Sequence, residues 1–403
     1  MRLTETGYSA AEIKKLVSTY MMETYERFDF VAETAKGMYL YDENGDKYLD
    51  FYGGVAVNSV GNSNEKVVAA VQNQVKDISH TFNYPYTIPQ AILAQKICTT
   101  IGMDKIFYQN SGTEANEAMI KLARKYGTDN FGPNKFHIIS AKQSFHGRTF
   151  GSLSATGQPG TANQIGYGPI VPGFSYVDFN NLDALINAYN EDTIGIMLEP
   201  IQGEGGIYPA TQAYLRGVRE FCDEKHILLM LDEVQTGWGR TGEIMAYMNY
   251  DIKPDIVSMA KAMGGGTPIG AICASEKVAK AFTMGSHGST YGGSPLCCAA
   301  SLAAVSEIVD RDLSSNAKNV GKYFMKKLAG LQGVKEVRGM GLMIGVEFEK
   351  PIANDIKHYG VKHHLLVTAI GKKVIRMVPP LIASEKDCDI AFEVLQEAVK
   401  QIA

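Results

Sequence analysis

Residues 227–235 read Ile-Leu-Leu-Met-Leu-Asp-Glu-Val-Gln, and this stretch decides the fold. Its five consecutive aliphatic residues predict a strand that is buried on both faces, as in a parallel sheet covered by helices. Such runs alternate with helical patterns from about residue 65 to 290, with strands predicted at 105–109, 136–140, 194–198 and 256–259 and helices at 65–75, 114–126 and 211–225. This alternation predicts an α/β domain with a largely parallel sheet that carries helices on both faces.

The two ends of the chain have different patterns. Residues 10–25 have the apolar spacing of a helix, and Asn44-Gly45 between two aromatic-rich stretches predicts a β-hairpin. After about residue 295 the alternation stops, and the sequence predicts helices at 299–309, 317–331 and 389–402 around a strand at 342–348. We therefore expect a smaller α+β domain in the last quarter of the chain.

Composition limits the classes of function. Of the 403 residues, 45% are hydrophobic and 20% charged, as in folded domains, and the net charge of −4 leaves no basic excess for nucleic acid. No apolar run approaches the roughly 20 residues of a membrane helix, and the amino-terminal stretch has no signal-peptide core. The six cysteines form no CxxC pair and the eight histidines no HExxH motif. We expect a cytoplasmic protein with reduced thiols, no metal, and no nucleic-acid or membrane partner.

The loops after the predicted strands carry the candidate chemistry, because ligands of open α/β sheets bind at the carboxyl ends of the strands. The stretch Asn-Ser-Gly-Thr-Glu-Ala-Asn at 110–116 follows a strand and opens a helix. Ser111, Gly112 and Thr113 offer hydroxyl groups and close backbone approach to a phosphate at a helix N-terminus. The same residues equally fit a simple capping box.

The next two loops add an aromatic residue, an arginine and two acids. Phe145 fits a platform for a flat ring and Arg148 a ligand for a carboxylate, although a core aromatic and a solvated arginine fit equally well. Glu199 and Glu204 lie in a glycine-rich loop past an apolar strand. Paired acids indicate acid/base work, and an acid that balances an arginine across a pocket is an equally good interpretation.

Two charged side chains follow apolar strands, where burial makes a charge costly. Asp232 comes directly after the strand at 227–231 and needs a cationic partner there. Lys261 comes just after the strand at 256–259; a lone lysine is usually on the surface, but a partly buried one is a nucleophile for carbonyl carbon. The stretch 237–242 fits G-x-G-x-x-G by letter, but it does not directly follow the strand, so we reject a dinucleotide site.

Two further elements complete the constellation. The loop 287–293 is rich in hydroxyls and glycines, and it fits a second phosphate contact, an interdomain linker, or both. Arg376 is a charge among apolar residues and requires a carboxylate partner. A phosphate seat, a ring platform, a buried acid and a nucleophilic lysine are what pyridoxal 5'-phosphate needs, and two arginines indicate substrates that bear carboxylates.

Over nearly its whole length the sequence resembles the class III (subgroup II) aminotransferases, and within them it is most similar to the N-acetylornithine aminotransferases. The motifs that carry the resemblance keep the family's order and spacing; they are GGVAVNSVG (53–61), NSGTEANEAMIKLAR (110–124), FHGRT (145–149), SATGQP (154–159), EPIQGEGG (199–206), LDEVQTGWGRTG (231–242), PDIVSMAKAMGGG (254–266), GSHGSTYGG (285–293), VRGMGLMIGVE (337–347) and IRMVPPL (375–381).

The resemblance implies the fold type I architecture of pyridoxal-phosphate enzymes. The large domain would hold the cofactor on a mostly parallel, seven-stranded type of sheet with helices on both faces, and the smaller α+β domain would be built from both termini. For this chain we expect an amino-terminal segment of the small domain at 1–55, the large domain at 56–294, and the rest of the small domain at 295–403. The family also implies a homodimer.

The resemblance further implies roles for individual residues. Lys261 would be the Schiff-base lysine and the proton carrier, and Asp232 would pair with the pyridine nitrogen. Thr290 would reach the phosphate bound by the neighbouring subunit. The other contacts to pyridoxal 5'-phosphate would come from Ser111, Gly112, Thr113, Phe145, His146, Val234 and Gln235.

Substrate contacts are implied in the same way. Arg148 would bind the carboxylate distal to the reacting amine, and Arg376 the α-carboxylate of glutamate or 2-oxoglutarate. Glu204 would cover Arg376 while a terminal amine is bound, and Asn83 would also contact substrate. The implied reaction moves the terminal amino group of N2-acetylornithine to 2-oxoglutarate, giving N-acetylglutamate 5-semialdehyde and glutamate, a step of arginine biosynthesis.

Other functions fit the same scaffold. The donor would then be ornithine, succinylornithine, succinyldiaminopimelate or 4-aminobutyrate, or the enzyme would be a racemase or epimerase that needs no keto acid. A non-enzymatic binding module would not need the complete lysine, acid and phosphate set. The chain departs from the family pattern at 62–64, Thr267, Ser294 and 83–86, and we expect Thr267 and 83–86 to reshape a wall of the substrate pocket.

Overall fold

The computed structural model describes residues 1–402. Its α-helices are α1 (Ala10–Tyr20), α2 (Gly53–Ala56), α3 (Glu65–Asp77), α4 (Ile88–Ile101), α5 (Gly112–Phe131), α6 (Phe150–Ala155), α7 (Leu182–Ala188), α8 (Gln212–Lys225), α9 (Glu276–Ala279), α10 (Pro295–Asp310), α11 (Leu313–Leu328), α12 (Ala353–Lys362) and α13 (Glu385–Ile402). Short 3₁₀ helices cover Leu3–Glu5, Ala246–Tyr250 and Lys261–Gly264. No helix within residues 1–402 is both long and apolar enough to cross a membrane.

The strands form one seven-stranded sheet, two four-stranded sheets and a two-stranded hairpin. They are β1 (Ala32–Lys36), β2 (Tyr39–Asp42), β3 (Lys47–Asp50), β4 (Lys105–Gln109), β5 (His137–Ala141), β6 (Phe174–Val177), β7 (Thr193–Leu198), β8 (Ile201–Gln202), β9 (Tyr208–Pro209), β10 (Leu228–Asp232), β11 (Ile256–Met259), β12 (Gly270–Ala274), β13 (Val334–Met340), β14 (Met343–Phe348), β15 (Leu365–Leu366), β16 (Thr368–Ile370) and β17 (Val374–Met377).

The central sheet has seven strands in the order β4-β12-β11-β10-β7-β5-β6. Only β12 runs antiparallel to its neighbours, which confirms the predicted mostly parallel sheet. The sequence of β10 is continuously apolar because both faces of this strand are buried. Leu228 and Met230 pack into the cluster that contains α5, while Leu229 and Leu231 pack into the cluster on the other face, which contains α8 and α10.

The chain termini build the remaining sheets. The predicted hairpin joins β2 to β3, where the Asp42 carboxylate accepts the N–H groups of Asn44 and Asp46 at 2.9 and 2.8 Å, and Gly45 takes a φ of +84°. Strand β3 then pairs in parallel with β15 from the carboxyl-terminal part. A separate antiparallel sheet has the order β13-β14-β17-β16. The domain bounds at 55/56 and 294/295 stay a prediction.

The predicted helix at 10–25 is too long, because α1 ends at Tyr20 and Met21 is already extended. A capping box between Ser9 and Glu12 fixes the start of the helix. The apolar residues beyond its end have little to pack against, since Met22 and Tyr25 are 87% and 77% exposed. Helical periodicity without a covered apolar face does not hold a short helix together.

One fully buried arginine joins three distant segments. The guanidinium of Arg240 donates hydrogen bonds to the carbonyls of Leu342 and Pro379 and to the hydroxyl of Ser59 at 3.0, 2.5 and 3.0 Å. Burial lowers the pKa of Arg240 to about 9, against the opposing effect of the Asp50 charge. The G-x-G-x-x-G stretch at 237–242 therefore serves packing between segments.

We predict that Arg240→Met lowers the stability by about 3 kcal/mol, because three buried acceptors lose their donor. The measurement is the midpoint of thermal unfolding of the purified protein. The control is Arg216→Met, which removes an exposed ion pair with Asp251 at 2.5 Å and is expected to cost less than about 1 kcal/mol. Equal midpoints for the two variants would contradict the role of Arg240.

Candidate active site

A cavity of about 470 Å³ lies at the carboxyl edge of the seven-stranded sheet. Parallel strands end at the same edge, so the loops after β4, β5, β7, β10 and β11 converge there. Most of the residues singled out in the sequence line this cavity, namely Ser111, Gly112, Thr113, Phe145, His146, Arg148, Glu199, Asp232, Val234, Gln235 and Lys261.

A buried carboxylate forms the floor of the cavity. Asp232 is 4% exposed, and its Oδ2 accepts hydrogen bonds from Asn116 Nδ2 at 2.7 Å and His146 Nδ1 at 2.8 Å. Its Oδ1 accepts from the Val234 N–H at 3.0 Å, and the oxygen of the Ser258 hydroxyl lies 3.5 Å away. Ser258 is in place because the register of β10 and β11 sets it directly opposite Asp232.

Two of these partners were missed by sequence reasoning. Asn116 also donates to the His146 carbonyl at 2.6 Å and accepts from the Ser258 hydroxyl at 2.6 Å, so it joins three elements. The available signals were an asparagine one turn into α5 and a serine inside a fully buried strand. His146 itself is 1% exposed and binds Asp232, so its predicted direct contact with a cofactor stays a prediction.

The N-terminus of α5 forms one end of the cavity. The Ser111 hydroxyl accepts from the Glu114 N–H at 3.3 Å and donates to the Glu114 carboxylate at 3.1 Å, so the capping alternative is present. The N–H groups of Gly112 and Thr113 have no acceptor within residues 1–402, and they are therefore available to an anion. A Cβ on Gly112 would lie 2.5 Å from Val234 Cγ1, so this close approach requires glycine.

Lys261 lies two residues past the end of β11, half-buried in the cavity wall. Its backbone has a φ of +45°, which residues with a Cβ rarely adopt, and such strain concentrates at functional sites. Among the described residues its ammonium has no hydrogen-bond or ion-pair partner. Burial lowers the pKa of Lys261; Glu204 opposes this shift and Arg376 adds to it. The arrangement fits a lysine that acts as a nucleophile and base.

A second charged group adjoins the cavity through Gln235. Arg376 is 5% exposed and donates through Nη1 to Glu204, while its Nε donates to the Thr368 hydroxyl at 3.2 Å. Gln235 donates to Glu204 at 3.3 Å. Burial raises the pKa of Glu204, but the charges of Arg376 and Lys261 outweigh it and hold that pKa below its usual value. The Glu204–Arg376 pair is the one that the family resemblance implied, whereas the contact of Thr368 was not predicted.

Glu199 ties two loops of the site together. Its carboxylate accepts the N–H of Phe145 at 2.9 Å and the N–H of Gly203 at 3.0 Å. Burial raises the pKa of Glu199 to about 7; His146 opposes the shift and Asp232 adds to it. The other acid of this loop, Glu204, is held by Arg376 as described. The two acids therefore have separate environments rather than forming one acid/base pair.

Two further residues that were predicted to contact cofactor or substrate do not line this cavity. Thr290 is exposed and does not line it, and Asn83 donates to the carbonyls of Ser289 and Gly292 at 3.4 and 2.9 Å instead. Their proposed contacts with cofactor and substrate stay predictions. Of the departures from the family pattern, Thr267 lines the cavity as expected, whereas the segment 83–86 lies outside the cavity of its own chain because the 289–292 loop holds Asn83.

The family model and the similar proteins found by comparison are all aminotransferases. The family model described as aminotransferase class-III matches residues 20–399. An acetylornithine aminotransferase from Aquifex aeolicus is 46% identical, with 94% of this chain and 99% of that protein covered. One from Methanocaldococcus jannaschii is 44% identical, with 96% and 98% covered. A crystal structure of an ornithine aminotransferase from Toxoplasma gondii has a TM-score of 0.94 at 28% identity, covering 99% of this chain and 97% of that chain.

A second buried acid, Glu233, follows Asp232 in the sequence and holds the loop after β10 in place. Glu233 accepts the N–H groups of Ala246 and Tyr247, both at 2.7 Å, and the Thr236 hydroxyl at 3.0 Å. Burial raises its pKa from 4.5 to about 7. Between these values the folded protein holds a proton that the unfolded chain has released, so this group makes stability fall as the pH rises from about 4.5 to 7.

We predict that Glu233→Gln flattens the pH dependence of stability. In the wild type, Glu233 should account for a loss of up to about 3 kcal/mol between pH 5 and pH 8, and the glutamine cannot titrate. The measurement is the urea midpoint of unfolding at both pH values. The exposed Glu220→Gln is the control and should keep the wild-type difference; a Glu233→Gln variant that keeps it as well would refute the prediction.

Proposed function

The chain belongs to the class III aminotransferase family, and on that premise we propose that it moves the terminal amino group of N2-acetylornithine to 2-oxoglutarate. The products are N-acetylglutamate 5-semialdehyde and glutamate, and the reaction is a step of arginine biosynthesis. The covered Arg376 carries the proposal, because a site that takes both a terminal amine and an α-keto acid needs an arginine that can be neutralised. The relatives named acetylornithine aminotransferase, matched over almost the whole chain, support the donor.

The donor set of the cavity fits pyridoxal 5'-phosphate, which supplies an electrophilic aldehyde carbon and an electron-withdrawing ring when it is bound. Asp232 would hold the protonated ring nitrogen, and Lys261 the aldehyde carbon. The free N–H groups at the start of α5 provide a seat for the phosphate. The phosphate and the faces and hydroxyl of the ring would be held by Ser111, Gly112, Thr113, Phe145, Val234 and Gln235.

Lys261 is the residue that we propose as nucleophile and base of the reaction. Its Nζ would hold the cofactor in the resting enzyme and, once free, would serve as the base that takes the proton from the substrate carbon. Burial favours the neutral amine that this step requires. Asp232, held by donors from Asn116, His146 and the Val234 N–H, would keep the ring nitrogen protonated. With 2-oxoglutarate as the acceptor, the same two residues would keep these roles in the reverse direction.

Arg148 and Arg376 bind the carboxylates of the substrates. Arg148 lies 5.6 Å from the ring centroid of Phe145, at the open side of the cavity, where it would bind the carboxylate distal to the reacting amine. Arg376 is covered by Glu204 while a terminal amine is bound. The α-carboxylate of 2-oxoglutarate then replaces Glu204 on the same guanidinium.

We further propose that the enzyme acts as a cytoplasmic homodimer. The six cysteines are free, as is usual in a reducing compartment. Thr290 is exposed, and large side chains near it are also exposed, including Tyr84, Met284 and Tyr291. A second copy on this surface would bury them and bring Thr290 to the partner's phosphate site.

We predict that the holoenzyme mixed with N-acetylornithine alone loses the visible absorbance of its cofactor, and that 2-oxoglutarate restores it. Lys261→Ala should bind the cofactor without turnover, whereas the exposed Lys280→Ala should behave as the wild type. The measurement is absorbance in a stopped-flow experiment. Loss with ornithine or another terminal amine instead of N-acetylornithine would change the donor, and no loss with any amine would exclude a transaminase.

We predict that Glu204→Ala shifts the preference between the two half-reactions. The variant should lose about tenfold in kcat/KM for N-acetylornithine, because Arg376 becomes an unpaired buried charge beside the substrate amine, and change little for glutamate. The measurement is the ratio of the two kcat/KM values, with the exposed Glu349→Ala as control. An unchanged ratio would remove Glu204 from the proposed selection.

A further inference from the structure

The segment that carries Glu204 bridges the two parts of the molecule. Strands β8 and β9 form a short hairpin that follows β7 of the large sheet, and residues 203–207, here called the hairpin tip, join them. The tip lies against the sheet β13-β14-β17-β16, where Gly206 and Ile207 face Gly345. The position of Glu204 therefore depends on how this sheet holds the tip.

Register aligns two arginines of that sheet with a glycine between them. Arg338 on β13 lies opposite Gly345 on β14, and Gly345 lies opposite Arg376 on β17. Residues directly opposite one another across neighbouring strands share a face of the sheet. Both arginines are buried, at 7% and 5% exposure. The hairpin tip lies across this row, with Glu204 at Arg376.

Gly345 makes room for the tip. A Cβ at this position would lie 2.9 Å from the Cβ of Ile207 and 3.3 Å from the carbonyl oxygen of Gly206. Ile207 is fully buried and has a φ of +59°, and Gly206 has a φ of +120°. Glycine adopts such a φ without strain, whereas the backbone of Ile207 is in a conformation that needs support from its surroundings.

Arg338 supplies that support on the side away from Arg376. Its Nε donates to the Gly206 carbonyl at 2.9 Å, and its guanidinium lies 3.9 Å from the centroid of the Tyr208 ring. Its Nη1 donates to Glu347 at 2.6 Å and to Glu336 at 2.8 Å. Arg338 thus contacts both the last part of the tip and the residue that follows it.

Glu347 fixes the orientation of the Arg338 guanidinium. It is buried on β14, and hydrogen bonds from Lys335 and then Arg338 lower its pKa to about 2, against the effect of burial. Lys335 binds the other oxygen of the same carboxylate at 2.8 Å and makes no hydrogen bond to the tip. This difference between Lys335 and Arg338 provides a matched control.

We propose that Arg338 is a positioning residue for substrate selection, which holds the Gly206 carbonyl over Gly345 and thereby keeps Glu204 on Arg376. This inference rests on the proposed use of Glu204 and Arg376. In the structure Glu204 covers Arg376 while Arg338 holds Gly206, and we infer that this hold is lost when Glu204 leaves. A contact made only in the covering state raises the population of that state. Weakening the contact at Arg338 therefore disfavours terminal amines relative to substrates with an α-carboxylate.

The test is the ratio of kcat/KM for N-acetylornithine to kcat/KM for glutamate, each measured as a half-reaction of the holoenzyme. Arg338→Gln should lower this ratio about tenfold, the size expected for one lost hydrogen bond from a charged group. Gly345→Ala should lower it as well, because the new Cβ displaces Ile207. Lys335→Gln and the exposed Gly330→Ala should leave the ratio unchanged. Gly345→Ala displaces the tip without changing Arg338. It therefore tests the inference even if Arg338→Gln fails to fold.

Coupling to Glu204 separates positioning from a general structural effect. In a Glu204→Ala background, Arg338→Gln should not change the ratio further, since its effect acts only through Glu204. An additive effect, an equal fall of both half-reactions, or an unchanged ratio in both Arg338→Gln and Gly345→Ala would overturn the inference.

The wild type alone tests the proposed function. If it reacts with a different terminal amine, the proposed donor fails and the ratio is taken with that amine. If it reacts with no terminal amine, the proposed function and the inference both fail.

Discussion

The site depends on the burial of one carboxylate at the end of an apolar strand. Asp232 has almost no contact with water, and leaving it without partners would cost several kcal/mol. Its donors come from α5, the loop after β5 and its own loop, and Ser258 of strand β11 holds the donor Asn116 in place. These elements can satisfy Asp232 only if all of them approach within hydrogen-bond distance at once. The same requirement fixes the N-terminus of α5 and, two residues past β11, Lys261.

Features that depend on nearby residues were readable from the sequence. The predicted strands at 105–109 and 256–259 match β4 and β11 in both bounds, because each is a short apolar run with clear limits. The turn at Asn44-Gly45 follows from local backbone preference. The convergence of five loops on one cavity follows from the parallel direction of the strands. Similarity to a family supplied the pairing of Glu204 with Arg376.

Features that depend on register or distant packing were not readable. Asn116 and Ser258 meet Asp232 only through the placement of α5 and the alignment of β10 with β11. The row formed by Arg338, Gly345 and Arg376 is likewise a product of strand register. The end of α1 depends on whether its apolar side chains are covered. Contacts assigned to Thr290 and Asn83 depend on a second copy of the chain and stay predictions.

The left-handed backbone of Lys261 has a consequence for the history of the chain. A residue with a Cβ loses roughly 1 kcal/mol or more in that conformation, whereas glycine does not. The folded state would therefore gain stability from the very substitution that removes the reactive amine. A population selected for thermal tolerance alone would drift toward glycine at this position. Persistence of lysine there requires continuous selection on turnover.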